Sequence, residues 1–176
     1  MAQTWRMTAR HRPPLDAAQL DALALGYAAR YATTRARLSA YLKRKLRERG
    51  FDGEPPVAAI VERMAALGFV DDRAFADTRS AALSRRGYGG RRIGAALAAA
   101  GVERDVAAEV APSAEAAFDS AETYARRRRI GPFAVEAADP DARSRNLAAM
   151  LRAGHDYALA SRFISAAPGA FPKRDD

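Results

Sequence analysis

Arginines grouped in three short stretches are the residues of this chain best placed to do chemistry. Arg35, Arg37, Lys43, Arg44, Lys45, Arg47 and Arg49 stand in one run against the single acid Glu48. Arg85, Arg86, Arg91 and Arg92 bracket the turn-forming run Gly87-Tyr88-Gly89-Gly90, with no acid among them. The third stretch is four consecutive arginines, Arg126, Arg127, Arg128 and Arg129, with Glu122 four residues ahead of Arg126 for one helical ion pair. A guanidinium presents a planar fork of N–H donors that matches carboxylate and phosphate oxygens. The chemistry on offer is therefore anion recognition. From the three clusters we take Arg35, Lys43, Arg44, Arg47, Arg85, Arg86, Arg91, Arg92 and Arg126 to Arg129 as candidate partner-binding residues. Tyr88 joins them as the aromatic inside the glycine turn. Tyr27, Tyr31 and Tyr41 fall at helical spacing and read as core.

Other chemistries fail on spacing. A dinucleotide fingerprint begun at Gly87 and Gly89 needs glycine where Arg92 stands. A phosphate loop begun at Gly89 reaches Gly94 with the right gap, but Ala95 follows in place of lysine. Both motifs need a strand before them, and the preceding segment has helical periodicity. Cysteine is absent, and the two histidines, His11 and His155, are far apart in the chain. That leaves no set of zinc ligands and no nucleophile with a base. Asp71-Asp72 sits where a helix start favours a capping carboxylate. The expectation is a protein that is not an enzyme and has no catalytic, metal or cofactor site.

The 176 residues carry 29 Lys and Arg against 21 Asp and Glu, a net charge of +8, which suits a polyanion or an acidic protein surface. No apolar run reads as a signal peptide or a membrane span. A cytoplasmic, monomeric protein is expected.

The elements that must position these arginines are helices. Alanine and arginine are abundant, aromatics make up only 8%, and apolar residues recur at three and four. Leu38, Tyr41, Leu42 and Leu46 form one stripe; Val57, Ile60, Val61, Met64 and Leu67 form the next. Ile93, Ala96 and Leu97, then Leu147, Met150 and Leu151, continue the pattern. The stops repeat as well: Leu46 before Gly50-Phe51, Leu97 before Gly101-Val102, and Leu151 before Gly154-His155. These glycines stand about fifty residues apart, a period that indicates tandem units of three helices. The fold expected is all-α, with three tandem three-helix repeats forming an elongated, curved array. Residues 1–14 read as a disordered basic arm and 15–70, 71–112 and 113–167 as the repeats. Residues 168–176 form a C-terminal tail.

Several of these runs resemble the RecX regulators. Arg86-Gly87-Tyr88-Gly89-Gly90-Arg91-Arg92-Ile93, followed by Leu97 and Gly101-Val102, is similar to the second-repeat signature of that family. Leu67-Gly68-Phe69-Val70-Asp71-Asp72-Arg73, with Phe75-Ala76, resembles its junction between first and second repeats. Arg35, Leu38, Leu42, Lys45, Leu46 and Gly50-Phe51 match the first repeat. In the third, Arg126 to Phe133 and Gly154-His155-Asp156-Tyr157 fit, with histidine at 155 where phenylalanine is usual. The resemblance spans about residues 18–165. It implies a non-enzymatic modulator of the RecA recombinase that lies along the RecA–single-stranded-DNA filament. There it restrains ATP hydrolysis, strand exchange and coprotease activity, with single-stranded and also double-stranded DNA as partners. The alternative from the charge pattern is a sequence-independent DNA-binding helical module that acts without a recombinase.

Overall fold

The computed structural model describes residues 13–174, so most of the basic arm expected over 1–14 lies outside the described residues. Apart from one isolated parallel bridge between Leu15 and Phe51, the secondary structure described is helical. The chain divides into two compact units, Met1–Asp71 and Asp72–Asp176. The first unit holds one three-helix repeat and the second holds two in tandem.

In the first unit, α1 (Ala17–Arg30), α2 (Arg35–Arg49) and α3 (Val57–Ala66) pack around one core. Local chemistry sets their ends. The Asp16 carboxylate accepts from the Gln19 amide at 2.7 Å, and the Thr34 hydroxyl accepts from the Arg37 amide at 3.2 Å. Each satisfies an amide that a helix start leaves unpaired. Gly50 ends α2 at φ +80, a conformation that costs glycine no Cβ clash. Leu20, Ala24, Leu38, Leu42, Ile60 and Met64 fill the core, with Tyr27 and Tyr41 half-buried at its edge. Leu67 departs from the stripe expected of α3. The helix closes at Ala66, Gly68 turns the chain at φ +76, and the Leu67 side chain is left 61% exposed.

The second unit begins with α4 (Asp72–Arg85), which starts at the Asp71-Asp72 pair, then α5 (Gly90–Ala98) and α6 (Arg104–Glu109). Ala76, Leu83, Ile93, Leu97, Ala100, Val102 and Val110 form their core. The following repeat comprises α7 (Ala114–Arg128), a single 3-10 turn at Gly131–Phe133, α8 (Pro140–Arg152) and α9 (Tyr157–Ser165). Ser113 and Asp139 cap α7 and α8 through their side chains. Phe118, Ala121, Ala125, Ile130, Met150 and Phe163 fill the last core. α4 packs along α7, which couples the two cores. The residues after α9 return to this repeat: Phe171 meets Phe133 edge-on, and Arg174 reaches Asp119 at 2.5 Å.

Candidate partner-binding site

The site is built around the glycine turn, and each glycine there has a separate reason. Gly87 takes φ +80 to leave α4, and a Cβ on it would stand 3.0 Å from the backbone nitrogen of Tyr124 in α7. Gly89 has ordinary backbone angles, yet a Cβ there would fall 2.3 Å from the carbonyl of Gly154. Gly154 both ends α8 at φ +93 and touches Arg92, whose amide would lie 2.4 Å from an added Cβ. Two backbone hydrogen bonds lock this contact: the Gly89 amide donates to the Ala153 carbonyl at 2.9 Å, and the Arg91 amide donates to the Gly154 carbonyl at 3.1 Å. The turn of the second repeat is thereby seated on the helix stop of the third.

His155 completes the joint. Its ring is 1% exposed, and Nε2 lies 3.1 Å from the Gly87 carbonyl, so the neutral ring that donates from Nε2 fits. Nδ1 is buried with no partner among the described residues. Burial pushes the histidine pKa below its ordinary value of 6.5, and the bond to Gly87 opposes that shift only partly.

Beside the joint, Arg86, Tyr88 and Arg92 from the turn face Tyr124, Arg127 and Arg128 from α7 and Arg152 from α8. They surround an open cleft of about 410 Å³ floored by Ala149 and Ala153. The tyrosines hold the guanidiniums. Arg92 lies over the Tyr88 ring at 4.4 Å and Arg86 at 5.6 Å, while Arg128 lies over Tyr124 at 5.8 Å. Tyr124 is fixed in turn by donating to the Ala149 carbonyl at 3.2 Å, and Arg127 donates to the Arg86 carbonyl at 2.9 Å. No acid among the described residues lines the cleft. No carboxylate among the described residues pairs with Arg86, Arg92, Arg127, Arg128 or Arg152.

Other residues expected at a partner surface lie elsewhere. Arg91 pairs with Asp156 at 3.4 Å and Arg126 with Glu122 at 2.6 Å, the latter as its spacing suggested. Arg85 is exposed outside the cleft, and Arg129 closes α7 in the left-handed region at φ +53. Tyr88 is half-buried against the second core rather than standing free at the tip of the turn. In the first unit, Lys43 and Arg47 are exposed, whereas Arg35 pairs with Glu62 and Arg44 with Glu48, both at 3.6 Å. A hydrogen bond from Lys45, with Arg44 and Arg47 nearby, holds the Glu48 carboxyl below its usual range. Arg152 and Tyr124 escaped the sequence reading. Arg152 is a lone arginine in its stretch, although it follows the stop leucine Leu151 as Arg47 follows Leu46. Among the described residues, no group of three or more His, Asp or Glu could hold a metal ion, and no helix is long and apolar enough to cross a membrane.

No family model matches the sequence. The chain is 31% identical over 160 residues to Regulatory protein RecX of Myxococcus xanthus, covering 85% of this chain and 86% of that protein. It is 39% identical over 106 residues to Regulatory protein RecX of Thermus thermophilus, covering 60% of this chain and 71% of that one. The crystal structure of RecX from Lactobacillus salivarius shares the fold with a TM-score of 0.66 at 15% identity, over 84% of this chain and 93% of the other.

Proposed function

Because the chain belongs to the RecX family of regulatory proteins, we propose that it binds the RecA–single-stranded-DNA filament and restrains ATP hydrolysis, strand exchange and coprotease activity. It acts by binding alone, without catalysing a reaction. The observation that carries this reading is the cleft at the glycine turn, where five arginines converge with no acid to neutralise them. Such a cluster repels itself, and a partner that brings negative charge relieves the repulsion. Guanidiniums fixed over tyrosine rings lose little freedom when the partner arrives. The exposed cations Arg35, Lys43, Arg44, Arg47, Arg85, Arg91, Arg126 and Arg129 add weaker contacts along the filament. Many equivalent sites on the filament would let modest contacts sum.

The test measures binding and ATP hydrolysis with the host recombinase on single-stranded DNA. Near-stoichiometric protein is expected to bind the filament and slow hydrolysis. If hydrolysis and binding are both unchanged, the regulator reading fails. Equal affinity for naked DNA with no effect on the recombinase would favour a DNA-binding module acting alone.

A further inference from the structure

We propose that the cleft between the glycine turn, α7 and the end of α8 is a receptor for consecutive phosphates, with Arg92 and Arg152 as its principal ligands. The inference deepens the preceding reading and rests on the cleft being the partner-binding surface.

Three observations point to phosphate. Five guanidiniums face one open volume of about 410 Å³, within the roughly 300–1,000 Å³ span of ligand sites. A lone carboxylate or a single phosphodiester brings one charge to this cluster, whereas a run of phosphates brings several, each with oxygens for a bidentate fork. The aromatic rings are already engaged. Arg86 and Arg92 lie over Tyr88, and Arg128 lies over Tyr124, whose hydroxyl is bonded to Ala149. The rings therefore already serve to orient cations at these positions. The ligand is recognised by its phosphates.

The arginines also differ in what fixes them. Arg127 is tied to the Arg86 carbonyl, and Arg86, Arg92 and Arg128 are held by the rings. Arg152 comes from the last turn of α8 and has no such anchor, so it is the arm able to close on a ligand. The small side chains of Ala149 and Ala153 leave it room.

Two sources supply consecutive phosphates: the backbone of single-stranded DNA and a free polyphosphate such as a nucleoside triphosphate. The experiment uses the full chain without recombinase, so its failure is separable from that of filament regulation. Binding of labelled oligothymidylate is followed by anisotropy, and binding of inorganic tripolyphosphate by calorimetry, for the native chain and for R92A/R152A. The double substitution is expected to weaken binding of at least one probe tenfold or more. For the oligonucleotide it should also lower the log–log salt slope by about 1.4, at roughly 0.7 for each phosphate no longer neutralised. A loss for oligothymidylate alone assigns the cleft to DNA backbone; a loss for tripolyphosphate alone assigns it to a free polyphosphate. R152K, which keeps the charge and removes the fork, is expected to fall between the native chain and the double variant. R79A/R104A, at two exposed arginines of α4 and α6 that do not line the cleft, serves as the charge-matched control. If R92A/R152A melts as the native chain does and binds both probes unchanged, the proposal is overturned. Loss of filament binding by that variant, with both probes still bound, would also overturn it and give the cleft to protein carboxylates.

Discussion

The α2 face and the cleft at the glycine turn are both rich in arginine, yet they differ in what surrounds each charge. On α2 the cations lie along one helix, and acids from the same helix or from α3 reach three of them. Glu48 serves Lys45 and Arg44, and Glu62 serves Arg35. In the cleft the cations arrive from three helices and a turn, and no acid follows them. Exposed pairs such as those on α2 contribute little to stability, but they offset part of the local field around Arg35, Arg44 and Lys45. The usable positive potential therefore depends on where acids fail to appear in space, more than on how many arginines the chain contains.

The largest effect is expected from breaking the backbone joint beneath the cleft. Gly89→Ala puts a methyl group against the Gly154 carbonyl, where only backbone could yield, and should cost about 3 kcal/mol or more. A thermal melt should fall by roughly 6–12 °C, and binding at the cleft should be lost with it. Gly26→Ala provides the opposite case in the first unit. Gly26 is exposed within α1 with open space around its Cα, so alanine there should stabilise by about 1 kcal/mol. Equal responses from the two glycines would show that the joint is not tight.

Exchanging the electrostatic conditions of the two regions should give the next largest effect. Ala149→Glu places an acid on the cleft floor and should weaken oligothymidylate binding about tenfold or more, with helicity retained. Glu48→Gln frees Arg44 and Lys45 on α2 and should raise the same affinity only about twofold. Unchanged binding in the Ala149→Glu protein would remove the field of the cleft from the account.

The smallest effect concerns acid. His155 binds a proton less readily when folded than when unfolded. Between the lowered folded value and 6.5 the unfolded chain holds more protons, so stability falls as pH drops from about 6.5. His155→Phe should flatten that slope in thermal melts across pH 7 to 5. Among the described residues the first unit has no histidine, so hydrogen exchange should quicken in α4, α5 and α8 before it does in α1 to α3. An unaltered slope in the His155→Phe protein would trace the acid response to other groups.

Much of this was legible in the order of residues. The caps at Thr34, Ser113 and Asp139 are local features of the chain, because capping depends on an amide only two or three residues away. Gly50, Gly101 and Gly154 end helices with positive φ, again for local reasons. The tandem helical repeats followed from those stops and from the apolar stripes. What stayed hidden needs residues far apart in sequence. Gly89 looked like a turn residue, whereas its requirement comes from Gly154. Arg152 gave no cluster signal because its neighbours in the cleft lie on α7 and the glycine turn. Arg91 and Arg126 look equivalent to Arg92 and Arg127 in a string of letters, but adjacent positions on a helix point about 100° apart. One of each pair meets an acid and the other meets the cleft.

The seating of the glycine turn on the stop of α8 also fixes when the site comes into being during synthesis. Arg86, Tyr88 and Arg92 are made early, and Arg127 and Arg128 follow with α7. The wall that holds Arg152, and the Ala153 and Gly154 carbonyls that anchor the turn, are made after both. A chain halted after α7 has most of the positive charge and none of the finished cleft. The cleft is complete only once the third repeat has closed over the second.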